Sequence, residues 1–137
     1  MRVLLDAYAL IALLAEEPAA AQVEALIRRG DTAITPVNLA EALDVLQRVA
    51  GIPRERLEHL TTPLIDQPIQ LAPIDGQIAR DAADMRARRY HRTRSPLSLA
   101  DCMLLAAAGR GDTIATADRV LLWAAEAEDV GATALAA

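Results

Sequence analysis

The strongest constraint on this chain lies in its first six residues, where the continuous apolar run Val3-Leu4-Leu5 stops abruptly at Asp6. An unbroken run, in place of polar-apolar alternation, suits a strand covered on both faces, as in a parallel sheet flanked by helices. Asp6 then falls at the strand's carboxyl end. The same unit recurs along the chain. Leu10 to Ala15 reads as a helix, and Pro18 opens a second that Gly30 closes. Thr32 to Thr35 is a strand, and the Thr35-Pro36 cap starts a helix to about Ala50, with Pro53 opening another. Pro68 to Ile74 reads as a weak strand and Asp75 caps a helix to about Tyr90. Ser95-Pro96 begins a helix ending at Gly109, Thr113 to Thr116 is a strand leading to Asp118 and a helix through Glu128, and Ala132 to Leu135 is a last strand. The alternation predicts an α/β fold: a short central parallel sheet of four or five strands between two helical layers. With 137 residues and no linker or repeat, residues 1–137 are expected to form one domain.

Composition narrows the chemistry. All fourteen basic residues are Arg and Lys is absent, which excludes a P-loop, Schiff-base catalysis and a phospho-receiver site. No apolar run is long enough to span a bilayer. The single cysteine, Cys102, cannot form an internal disulfide, and the N-terminus lacks a signal pattern, so the expected compartment is the reducing cytoplasm. No Ser-His or Cys-His arrangement surrounds His59, His91 or Cys102, and Trp123 is expected to pack in the interior.

Ligand sites of open parallel sheets lie outside the carboxyl ends of the strands, at a topological switch point. Asp6 and Asp118 occupy such ends, although capping a helix would explain either one alone. Asp101 is harder to explain that way. It shares a helical face with Leu97, Leu104 and Ala108 in an almost wholly apolar stretch, where a carboxylate needs a donor, a cation or a metal. A structural pairing with Arg is the alternative. Glu41 falls off the apolar stripe of its helix, on the side of Arg48, and periodicity alone does not select it over Asp44.

Taken in order, these segments resemble the PIN-domain metal-dependent ribonucleases, and among them the VapC-type toxins of bacterial toxin-antitoxin pairs. The resemblance rests on Val3-Leu4-Leu5-Asp6-Ala7 with Leu10 to Leu14 and Glu17-Pro18, then Glu41, then Leu97-Ser98-Leu99-Ala100-Asp101, then Thr116-Ala117-Asp118. It implies a three-layer α/β/α PIN fold in which Asp6, Glu41, Asp101 and Asp118 converge on Mg2+ or Mn2+, with Thr116 as a supporting ligand or water positioner. The implied reaction is hydrolysis of an RNA phosphodiester by a metal-activated water. It also implies a VapB-type antitoxin partner and a homodimer. The sequence departs from the family at Tyr8, where a small hydroxyl or amide residue is common. RNA contact is expected from Arg86, Arg88, Arg89, Arg92 and Arg94, a run with no acid among them, to which Tyr90 adds an aromatic face. A catalytically silent PIN module binding RNA or a protein is the rival. A phosphatase of the haloacid dehalogenase kind is disfavoured by Asp6-Ala7-Tyr8 and the missing Lys.

Overall fold

The computed structural model describes residues 1–137. Five parallel strands form one sheet: β1 (Val3–Leu5), β2 (Thr32–Ile34), β3 (Ile69–Leu71), β4 (Thr113–Thr116) and β5 (Gly131–Ala134), in the spatial order β3-β2-β1-β4-β5. Seven helices connect and cover them: α1 (Ala7–Leu14), α2 (Ala20–Arg29), α3 (Pro36–Arg48), α4 (Arg54–Thr61), α5 (Gly76–Arg89), α6 (Leu99–Ala107) and α7 (Arg119–Ala127). None of these helices is long and apolar enough to cross a membrane.

Strand periodicity divides the interior into two cores. Leu4, Ala33 and Ile114 point to one face, against Met85 of α5, Leu104 of α6 and Leu121 of α7. Their chain neighbours Leu5, Ile34 and Ala115 point to the other, against Leu10 of α1, Val23 of α2 and Ala42 of α3. Both faces of the inner strands are therefore dry, as the unbroken apolar run of β1 requires. The predicted three-layer α/β/α arrangement is present.

Where element boundaries differ from the sequence reading, side-chain capping explains the shift. α1 begins at Ala7 because Asp6 Oδ1 accepts the Ala9 N–H at 2.9 Å. α6 begins at Leu99, after the Ser95-Pro96 start that the sequence suggests. Ser98 is its cap, accepting the Asp101 N–H at 3.0 Å, whereas the Ser95 hydroxyl donates to the Arg89 carbonyl at 2.6 Å. Trp123 is a second correction: 47% of it is exposed, since α7 buries Leu121, Ala124 and Ala125 and turns Trp123 off that stripe.

The chain runs outward from β1 through β2 to β3, then returns to place β4 on the other side of β1. The switch point lies between β1 and β4, whose register pairs Leu5 with Ala115. The next residue on each strand is Asp6 and Thr116. One edge of the sheet thus receives the end of β1, the end of β4 and the turns that open α1 and α7.

Candidate active site

Asp6 extends the β1 ladder by one residue, its N–H donating to the Ala115 carbonyl at 3.2 Å, which holds it beside Thr116. Only 6% of Asp6 is exposed, and burial pushes its carboxyl up to about 6. Hydrogen bonds from Thr116 and the Ala9 N–H oppose that shift, while the charges of Asp101 and Asp118 add to it. Thr116 is fully buried, its hydroxyl oxygen accepts the Asp118 N–H at 3.0 Å, and its nearness to Asp6 opposes the rise of that carboxyl. Its hydroxyl therefore ties Asp118 to the strand end beside Asp6.

Asp118 caps α7, its Oδ1 accepting Val120 N–H at 2.8 Å and Leu121 N–H at 3.3 Å. Asp6 and Asp118 do cap helices, but each does so through a single oxygen. The second oxygen of each carboxylate is left over from the capping.

Asp101 sits in the first turn of α6 and makes no ion pair, so the Arg-paired alternative is not what the fold builds. Burial raises its carboxyl, the Ser98 hydroxyl lowers it and Asp118 raises it again. Glu41 stands exposed on α3, yet partial burial and the charge of Asp101 raise its carboxyl. Asp44, which periodicity did not separate from Glu41, pairs with Arg48 at 3.0 Å on the open side of the same helix. Asp101 is the hub of the group, since Asp6, Asp118 and Glu41 each share a charge repulsion with it.

Asn38 was not singled out from sequence. It is buried, its Oδ1 accepts the Thr35 hydroxyl at 2.8 Å, and its Nδ2 donates to Glu41 Oε1 at 3.2 Å. The spacing Thr35-x-x-Asn38-x-x-Glu41 was the available signal, because residues three apart on a helix are neighbours. Removing this donor should raise the Glu41 carboxyl further. Carboxyl-carbon NMR titration of Asn38→Leu should show a higher Glu41 midpoint than in the wild type.

No three His, Cys, Asp or Glu side chains are drawn together tightly enough to chelate one ion directly. What the fold assembles is a looser set of four acids at coulombic range, with no Arg among the causes that shift Asp6, Glu41 and Asp101. Such an all-oxygen, uncompensated donor set has the chemistry of a hard divalent cation. Mg2+ keeps several of its own waters, so it does not need close-packed protein ligands.

The PIN-domain family model matches residues 3–126. The chain belongs to the PIN-domain family. Solved structures similar to this PIN domain include FitAcB from Neisseria gonorrhoeae, with 24% identity, a TM-score of 0.63 and 95% of each chain covered. VapBC2 from Rickettsia felis, bound to a promoter DNA fragment, has 11% identity, a TM-score of 0.68 and coverage of 99% of this chain and 100% of that one. VapC20 from Mycobacterium tuberculosis, a sarcin-ricin-loop-cleaving toxin, has 16% identity, a TM-score of 0.60 and coverage of 76% and 78%. A search of the curated proteins finds no significant match.

The Arg run of this PIN domain divides into engaged and open members. Arg86 donates to the Leu97 carbonyl at 2.9 Å and lies 4.3 Å from the Tyr90 ring centroid. Arg88 and Arg89 both bind Glu128 at the end of α7, holding its carboxyl below the usual range. Arg92 and Arg94 have no ion-pair partner. Tyr8, the departure from the family pattern, donates to the Ala136 carbonyl at 2.9 Å and fastens the C-terminal segment.

Proposed function

We propose that this PIN domain is a divalent-metal-dependent endoribonuclease, the toxin of a VapBC-type pair in the cytoplasm. The observation that carries the reading is the coupling of Asp6, Glu41 and Asp118 through Asp101 at the switch point, without a compensating cation. Support for the toxin reading comes from the similar structures, which include VapC and VapBC proteins. A VapB-type antitoxin and a second copy of the chain are the expected protein partners. RNA is favoured as substrate by the open Arg residues and by the RNA-directed activity of VapC20.

Asp6, Glu41, Asp101 and Asp118 would hold Mg2+ or Mn2+. When bound, the ion supplies Lewis acidity and positive charge, which make water a competent nucleophile at neutral pH. The protein residues supply the rest. Thr116 anchors Asp118 while the Ala115 carbonyl and the Ala9 N–H anchor Asp6, so neither carboxylate must reorganise as charge develops on the phosphate. Asn38 orients Glu41, whose exposed position and raised carboxyl suit it to accept the proton of the attacking water. Water forms the new bond to phosphorus as the bond to the leaving ribose oxygen breaks, and that oxygen takes a proton from solvent. No covalent bond to the protein forms.

The test is incubation of total RNA with the purified chain. Cleavage is expected with Mg2+, with little or none in EDTA or for Asp101→Asn. Equal cleavage in all three would overturn the nuclease reading, and RNA binding without cleavage would establish the silent module instead.

A further inference from the structure

The C-terminal end of α5, the loop that follows it and α7 line an open cavity of about 480 Å3. This is within the size range of small-molecule sites. Its walls include Arg88, Arg89, Arg94, Tyr90, His91 and Trp123, and no carboxylate lines it. Two of the three aromatic side chains in the whole chain thus meet in one place.

Their states differ in a useful way. The Tyr90 ring already has the Arg86 guanidinium over it. Trp123 is nearly half exposed and its indole N–H makes no hydrogen bond within the chain. Thirty Ala residues fill this sequence, and an exposed helix position needs nothing larger, so an open indole there is available to a ligand. His91 is fixed in orientation. Its Nδ1 accepts the backbone N–H groups of Thr93 at 3.2 Å and Arg94 at 3.1 Å, which leaves the proton of a neutral ring on Nε2 as a free donor. Arg94 is unpaired, and Glu128 offsets only one of the two charges of Arg88 and Arg89.

Two of the elements that line the cavity lead along the chain to the acids. Trp123 follows Asp118 on α7 by five residues, roughly 7.5 Å along the axis, and helical side chains lean toward the N-terminus. The loop holding His91 and Arg94 runs through Leu97 to Ser98, the cap of the helix that carries Asp101.

We propose that this cavity is a nucleotide subsite for single-stranded RNA. An unpaired base stacks on Trp123, its neighbouring phosphate rests on Arg94, and the His91 Nε2–H donates to a base or ribose oxygen. The proposal rests on the ribonuclease reading and names where the strand leaves the acid cluster. Charge decides between occupants: a basic antitoxin segment is repelled from this cavity and drawn to the acids, whereas a polyanion with flat bases satisfies both walls.

Because Trp123 is the sole tryptophan, its fluorescence reads this cavity alone. In the Asp101→Asn protein, expected to hold RNA without cutting it, a single-stranded RNA of about a dozen nucleotides should quench Trp123 on binding. Measured by anisotropy of labelled RNA, Trp123→Ala and Arg94→Ala should each weaken binding about tenfold, and Trp123→Phe should stay within about threefold. Arg94→Ala should also lower the slope of log affinity against log salt by about 0.7. If the wild type cleaves RNA while quenching is absent and both alanine variants bind as before, the subsite is wrong and the nuclease reading stands. If polyglutamate quenches Trp123 and competes as well as RNA, the cavity is a site for acidic peptides and the proposal falls. If the wild type neither binds nor cleaves RNA, the nuclease reading falls and takes the subsite with it.

Discussion

In metal-free buffer at neutral pH, Asp6→Asn is expected to melt roughly 10 °C above the wild type while losing RNA cleavage. Asp6 is buried beside two other acids, and its carboxyl rises from 3.8 to about 6. A group whose folded pKa lies above its unfolded one favours folding below the unfolded value, and that contribution is lost as pH rises through the folded value. For Asp6 the loss falls between about pH 4 and 6 and amounts to about 3 kcal/mol. Asn carries no charge to desolvate and keeps an acceptor oxygen for the Ala9 N–H, so α1 retains its cap. Calorimetry of both proteins from acid to neutral pH checks this. The wild-type curve should fall relative to the variant's across that window. An Asp6→Asn protein that melts below the wild type at neutral pH would show that the carboxylate is compensated by something other than a divalent ion.

The second large effect is on the wild type itself. Adding Mg2+ in EDTA-free buffer should raise its stability by about 2.7 kcal/mol once the ion is at a hundred times its dissociation constant. On the metal reading, the ion would replace repulsion among four carboxylates by attraction, and its binding would displace the Asp6 proton wherever that proton is present. Stabilisation should therefore fade as pH falls below about 6. Asp101→Asn should remove most of it, because Asp101 is the one acid that interacts with the other three. Arg48→Ala, which removes only the pair with Asp44 further along α3, should leave it intact. Thermal shift against Mg2+ concentration distinguishes these outcomes, and a wild type indifferent to both Mg2+ and Mn2+ would reject the metal assignment.

The legible parts of this protein were those governed by local rules. β1 could be read from three residues because burial on both faces forbids alternation, and the acid that ended it marked the sheet edge near which the four acids gather. Asp101 declared itself by standing in a helix with almost no other polar residue. Glu41 did not, because its role depends on where α3 lies relative to α6, and no periodicity within α3 encodes that. The start of α6 was ambiguous for a similar reason. Ser95 and Ser98 are both acceptable caps, and only the bond from Ser95 to the Arg89 carbonyl decides between them. The Arg run looked uniform in sequence, but Glu128, some forty positions away, takes up two of its members. Trp123 was misplaced by the general tendency of aromatic residues to be buried, although the stripe of Leu121, Ala124 and Ala125 already pointed it outward.

The divided labour of Asp6 and Asp118, one oxygen to a helix start and one left over, also constrains how this domain can drift. Of the amino acids one base change away from an Asp codon, only Asn and Gly are favoured at a helix N-cap, and only Asn retains a side-chain acceptor. Most single mutations at these positions would therefore unsettle a helix as well as silence the site, and the folded protein would be lost along with the activity. Descendants that survive as inert binding proteins should carry Asn at position 6 or 118 more often than any other replacement, a genealogical trace of helix capping.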